Sequence, residues 1–152
     1  MLQTHFLYED SKAAIQSSLG KTIASVALAD NRLAFTFTDG CRLGVWDEAR
    51  FCCERRFMTT DDDLPYYVGA TLLNIEIRDS GEIAIGEMES NATIWGAKVR
   101  AFLFLVVTTD RGTFSANTYN EHNGYYGGFD IHAGVLSHAG IAQCQNNSMK
   151  HS

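Results

Sequence analysis

The stretch Glu121-His122-Asn123-Gly124-Tyr125-Tyr126-Gly127-Gly128 sets an acid, an imidazole, an amide, two phenols and three glycines side by side. Asn-Gly reaches positive φ at little cost and marks a tight turn. Paired glycines let a ligand or a second backbone come close, and tyrosines offer flat, amphipathic contact area. The stretch reads either as a polar, aromatic recognition loop or as a hairpin turn whose tyrosines cap the core. Further residues of binding type occur elsewhere. Arg55, Arg56, Lys98, Arg100 and Arg111 fall near predicted loops or strand ends, and arginine suits bidentate contact with phosphate. Phe57, Phe102, Tyr119, Tyr125 and Tyr126 can stack on a base. Asn117, Asn120 and Asn123 can read donor and acceptor edges. The mix, with His122 beside it, suits a small nucleotide. The plainer alternative buries Phe102 and Phe104 under a second layer and leaves the arginines in water.

Covalent and metal chemistry have thinner support. Cys53 beside Arg55 and Arg56 could be a low-pKa nucleophile with His122 as its base, or a small buried thiol and a loop histidine. Asp61, Asp62 and Asp63 could hold a hard cation, but acids before an apolar turn equally mark a helix start. Cys52, Cys53, His122, His132, His138 and Cys144 lack zinc-finger spacing. No G-x-S-x-G, H-E-x-x-H or G-x-x-x-x-G-K motif is present. The expectation is a binding protein, not an enzyme, with no catalytic residue, no metal and no cofactor.

Composition bounds the partners. The chain has 152 residues, a net charge of −6 and 45% hydrophobic residues, which fits one globular domain with a core of its own. The acidic balance argues against long nucleic acids. No run of about 18 apolar residues suggests a membrane span, and the first residues lack the basic start and apolar run of a signal peptide. The four cysteines have no framework spacing and are expected as reduced thiols in a cytoplasm.

The elements that must position these residues are mostly strands. Residues 12–19, after Asp10-Ser11 and before Gly20, read as a short helix, and 22–29 as a strand. Residues 32–46 read as a hairpin around Thr38-Asp39-Gly40. Only a type I turn with Gly40 as bulge residue sets Phe37 by Cys41, Phe35 by Leu43 and Leu33 by Val45, giving one apolar face. Residues 47–63 read as polar and irregular, and 65–68 as one helical turn closed by Gly69. Residues 72–78 read as a strand with Leu73, Ile75 and Ile77 on one face. Residues 79–91 read as a loop with a short strand at 83–85. Residues 98–109 read as a long strand that turns at Asp110-Arg111-Gly112 and returns through 113–119, and a last strand is placed near 126–132. The fold class is α+β, mainly antiparallel β, with one or two short helices. A single β-rich domain spans 1–132, and 133–152 is a tail or weak helix.

Two blocks resemble a known family. One is Cys52-Cys53-Glu54-Arg55-Arg56-Phe57-Met58 with Asp61-Asp62-Asp63-Leu64 and Val68-Gly69-Ala70. The other is Asn120 through Phe129, with its Asn-Gly-Tyr-Tyr turn. Together they resemble small phage and prophage proteins, some similar to the Thoeris anti-defence sponges that sequester cyclic ADP-ribose signals or cyclic oligonucleotides. The resemblance spans roughly residues 33–131. It implies a β-rich homo-oligomer in the host cytosol that binds a cyclic nucleotide at subunit contacts without cleaving it. In sponge-like relatives the strand before the turn often carries Arg and Trp. This chain has Asn117 and Thr118 there, leaving the phosphate-binding cation absent or supplied by Arg100 or Arg111. Two alternatives stand beside this reading: a protein that binds and inhibits a host defence component or belongs to a phage particle, and a nucleotide-degrading enzyme.

Overall fold

A computed structural model describes residues 6–49, 54–84, 99–122 and 128–136. Helix α1 is Glu9–Ser18. Eight strands follow: β1 Ile23–Ala29, β2 Arg32–Phe37, β3 Arg42–Asp47, β4 Arg55–Thr59, β5 Leu72–Ala84, β6 Val99–Thr109, β7 Gly112–His122 and β8 Ile131–Val135. A 3-10 turn at Leu64–Tyr67 precedes β5. The strands form two antiparallel four-stranded sheets, ordered β1-β2-β3-β8 and β4-β7-β6-β5. Their apolar faces share one core, where Phe35 of the first sheet meets Phe114 of the second at a ring separation of 6.5 Å.

Alternation drives this arrangement. Along β6 every second residue from Ala101 to Thr109 is buried, as a strand with one face on a core requires. The β2–β3 hairpin takes the bulged register expected from sequence. Leu33 pairs with Val45 and Phe35 with Leu43, the Phe37 N–H donates to the Cys41 carbonyl, and Gly40 has φ of 90°. Asp39 fixes the turn by accepting from the Cys41 N–H and from Lys21. Helix α1 buries Ser11, Ala14, Ile15 and Ser18, the i, i+3, i+4, i+7 stripe of one helical face. It covers edge strand β8, whose Ala133 N–H donates to Ser11 Oγ; the covered edge is closed to strand addition.

Four local expectations are corrected. Residues 55–59, read as irregular, form β4. Leu73 does not join Ile75 and Ile77: the pairing slips between Leu72 and Asn74, so Leu72 is buried while Leu73 is 47% exposed. A one-residue bulge inverts the alternation. Residues 79–82 are strand and not loop: β5 continues past a second slip between Arg78 and Gly81 and takes in 83–84, which were read as strand. Cys41 is disulfide-bonded and not a free thiol. In addition, β8 runs to Val135, beyond the boundary read at 132.

Phe35 lies at the centre of the shared core, fully buried and stacked on Phe37 at 5.9 Å. Phe35→Ala is expected to destabilise the fold by about 3–5 kcal/mol, measured as a shift in the urea unfolding midpoint at unchanged slope.

Candidate functional site

Cross-strand register sorts the predicted site residues between two faces of the second sheet. Side chains alternate along each strand, and β4, β7 and β6 pair residue for residue. On the outward face, Arg55, Glu121 and Arg100 form one row, Phe57, Tyr119 and Phe102 the next, and Thr59, Asn117 and Phe104 the third. Arg55, Phe57, Arg100, Phe102, Asn117 and Tyr119 are thereby brought together. Arg56 and Asn120 lie in the inward row with Ala101, and His122 follows two positions on. Asn123, Tyr125 and Tyr126, like Lys98, Cys52 and Cys53, lie outside the described residues.

The outward rows make an aromatic platform with cations. Phe57 and Tyr119 stack with centroids 5.1 Å apart, and Phe102 tilts against Phe104 at 5.5 Å. All four rings are half-buried. Gly81 lies opposite Phe102, and a Cβ there would come within 2.8 Å of the ring, so the glycine gives Phe102 its place. The Arg55 guanidinium sits 4.1 Å from the Phe57 centroid and makes no ion pair with a described residue. Arg100 lies 5.7 Å from the Tyr119 centroid. Its Nε and Nη2 both donate to Oε2 of Glu121, at 3.0 and 2.5 Å. Glu121 is fully buried, so the pair is shielded from solvent and held firmly. Among the described residues, exposed Arg55 is therefore the cation of this face most open to an incoming anion.

The inward set has a different job. Arg56 donates from Nε and Nη2 to Glu54 (3.1 Å each) and from Nη1 to Asp47 Oδ2 (2.7 Å) and the Gly128 carbonyl (3.0 Å). The side chains of Asp47, Glu54 and Arg56 are 0, 1 and 7% exposed. Asp47 Oδ1 also accepts from the backbone N–H groups of Ala49 and Asp130. With its donors spent on buried carboxylates, Arg56 holds the fold and does not present itself to phosphate. Asn120 is also buried, and both its amide atoms, like Thr118 Oγ1, make no hydrogen bond among the described residues. His122 is buried, with Nε2 3.9 Å from Glu82 Oε2.

Other candidates separate from this group. Arg111 donates to the Tyr66 and Val68 carbonyls beside the β6–β7 turn. The platform begins at the far end of those eleven-residue strands, roughly 30 Å away at 3.3 Å per residue, so Arg111 cannot replace a cation there. Asp62 accepts from the Ser115 N–H and Thr60 donates to the Ser115 carbonyl; this acidic run extends the β4–β7 pairing. Among the described residues no group of three or more His, Cys, Asp or Glu is placed to hold a metal, and no helix is long and apolar enough to cross a membrane. Glu121 as a partner of Arg100, and Asp47 and Glu54 as partners of Arg56, were missed from sequence. The one available signal was Arg55-Arg56 itself, since consecutive residues of a strand face opposite ways.

The chain belongs to the family described as a domain of unknown function (DUF7448), which matches residues 16–131. No curated protein and no solved structure matches the chain.

The adjacent arginines are expected to behave differently. Arg56→Ala strands two buried carboxylates and should cost about 3–5 kcal/mol of stability, while Arg55→Ala should stay within about 0.5 kcal/mol. Chemical denaturation of both variants checks this. A second expectation concerns acid. The Tyr8 hydroxyl donates to Asp130 Oδ1, and this bond holds the Asp130 carboxyl below its ordinary range; burial opposes it, and the His132 hydrogen bond and charge and the Arg56 charge add to it. A depressed folded-state value contributes stability that is complete above the unfolded carboxylate value of about 3.9 and is lost as pH falls through the folded value. Asp130→Asn should therefore lose less stability than the parent on acidification from about pH 5 to about pH 3, followed by thermal unfolding.

Proposed function

We propose that this member of the DUF7448 family binds a small cyclic nucleotide on the outward face of β4, β7 and β6 and holds it without cleaving it, as a sponge that removes an immune signal. The observation that carries the reading is the single row of Phe57, Tyr119 and Phe102 lying directly beside the row of Arg55 and Arg100. Rings and guanidinium groups at neighbouring positions match the base and phosphate of a nucleotide, since stacking tolerates any base and arginine suits the phosphate. Asn117 stands one row further on, able to meet a donor or acceptor edge. The motif resemblance supports a cyclic ADP-ribose type of ligand, with cyclic oligonucleotides as the related class.

The same reading makes the working unit a homo-oligomer in the infected cell's cytoplasm. Among the described strands β4 is an edge, with Arg55 and Thr59 exposed, which suits contact with a second copy on that side. Half-buried aromatic side chains with arginine are also the composition of protein interfaces, and inhibition of a host protein is the second reading.

The protein is incubated with infected-cell lysate, washed and heat-denatured, and the released small molecules are identified by mass spectrometry. An intact cyclic nucleotide in stoichiometric amount is expected. Calorimetric titration of the ligand found should show Phe57→Ala, Tyr119→Ala and Arg55→Ala each weakening binding by about 1–3 kcal/mol. Unchanged affinity in all three would remove the platform from the site. A cleaved product would replace the sponge by an enzyme, and an empty supernatant over undiminished lysate signals would leave the protein-partner reading.

A further inference from the structure

Helix α1 covers the β8 edge of the first sheet. The opposite edge, β1, is open among the described strands. Hairpin geometry shows which of its backbone groups are free. Ala29 pairs with Arg32 across the two-residue turn at Asp30-Asn31, and the pair that closes such a turn exchanges its backbone hydrogen bonds. Alternation makes Ala27–Ala34 and Ser25–Thr36 the next such pairs, so the N–H and C=O groups of Val26 and Leu28 point away from β2. At the start of the strand the outer side is occupied. The Ile23 N–H donates to the Ala70 carbonyl and the Gly69 N–H to the Ile23 carbonyl, at 2.8 Å each. Among the described residues nothing continues this pairing along Val26 and Leu28. Their free groups lie on an edge where Ala24, Ser25, Ala27 and Ala29 are exposed.

Exposed edges are ordinarily guarded by charge or proline. β4 opens with Arg55 and Arg56, and β5 carries Glu76, Arg78 and Glu82. β1 reads Ile-Ala-Ser-Val-Ala-Leu-Ala and has neither guard. Its free stretch is also short. A long extended peptide laid along it would run into Gly69 and Ala70, whereas a strand that ends in a tight turn stops before them. β1 is such a strand, and it complements itself. With Ala27 on a twofold axis, Val26 stands opposite the partner's Leu28 and Leu28 opposite the partner's Val26, so every free N–H meets a free C=O. Val26 and Leu28 pack half-buried against the core, and the pairing continues their apolar face across the axis. On the other face only Ser25, Ala27 and Ala29 meet their counterparts, all too small to clash. The partner's turn reaches Ala24 and brings the partner's Asp30 beside Gly69. Arg111 lies there, its Nη2 3.3 Å from where a Gly69 Cβ would stand. Asp30 and Arg111 are both exposed, and neither makes an ion pair with a described residue. These opposite charges, repeated by symmetry, counter the repulsion between two chains of net charge −6.

We propose that β1 is the interface through which two copies of this chain associate, antiparallel about a twofold axis at Ala27, joining their first sheets into one continuous sheet. The contact is separate from the platform of the second sheet and does not depend on the nucleotide reading.

Sedimentation velocity on the full chain from about 1 µM to about 100 µM covers micromolar affinities, and a monomer–dimer equilibrium is expected in that range. Ala27→Lys sets like charges at the axis and should weaken the dimer about tenfold or more. Asp30→Asn keeps a residue that tolerates the left-handed turn position and should weaken it about threefold. Cysteine substitution reads the register. At the axis the two copies of residue 27 form a non-hydrogen-bonded pair with Cα atoms about 4.5 Å apart, within reach of a disulfide. Ala27→Cys should therefore cross-link as a dimer under mild oxidation, above the background of the parent. Ser25→Cys, about 14 Å from its own copy, should not. Ala27 is exposed, so Ala27→Cys remains informative should the lysine variant fail to fold. A chain that stays monomeric up to about 100 µM, a dimer that Ala27→Lys leaves unchanged, or no cross-linking of Ala27→Cys above that of Ser25→Cys overturns the proposal.

Discussion

The ion cluster of Asp47, Arg56 and Glu54 closes one end of the space between the two sheets, and the order of that end depends on it. Removing such charges from water is expensive, and the cost is offset only when geometry and hydrogen bonding are both good. Here both conditions hold. Glu54 receives two parallel donors, and Asp47 receives one guanidinium nitrogen and two backbone N–H groups. Asp47 is the last residue of β3 and Arg56 the second of β4, so the pair ties one sheet to the other. It also draws in the segment that leads to β8, through the Gly128 carbonyl and the Asp130 N–H. An apolar core alone would allow small sliding of one sheet over the other; a directional cluster at one end removes that freedom.

With Arg56 committed inward, strand alternation commits Arg55 and Phe57 outward. The platform follows from the register of β7 and β6 beside them, because lateral neighbours in a sheet stand about 5 Å apart. That spacing lets Phe57 reach Tyr119 and lets Arg100 reach Glu121. The buried Glu121 also shapes what the face can accept. Arg100 is already neutralised, so among the described residues the face presents one open cation and not two, and ring contact has to supply much of any affinity.

Much of this fold could be read from residue order. The hairpin register of β2 and β3 followed from one continuous apolar face, because Phe35 opposite Leu43 leaves no second solution. The buried side of β6 followed from strict alternation. Other features could not be read this way. The bulge that turns Leu73 out of the core has no local mark, since Leu72 and Leu73 are equally apolar and only the pairing with Thr108 and Thr109 decides between them. β4 was invisible because its five residues begin with two arginines, and a buried arginine looks like a break in the pattern until its carboxylates are known. For the same reason the binding inventory was legible by type and not by face. Arg55 and Arg56 look interchangeable in sequence, and so do Tyr119 and Asn120; folding separates each pair.

That separation of Arg55 from Arg56 bears on how such a protein can change. The residue that anchors the sheets and the residue proposed to meet a ligand are adjacent in one strand, yet their side chains take different partners. If the outward face binds as proposed, substitution there alters what is recognised while the anchoring cluster stays intact, and new preferences are reachable through single codon changes that leave folding alone. A one-residue insertion or deletion in β4 would exchange the two arginines and lose both properties together. Variation on this scaffold is thus free in residue type and strict in spacing.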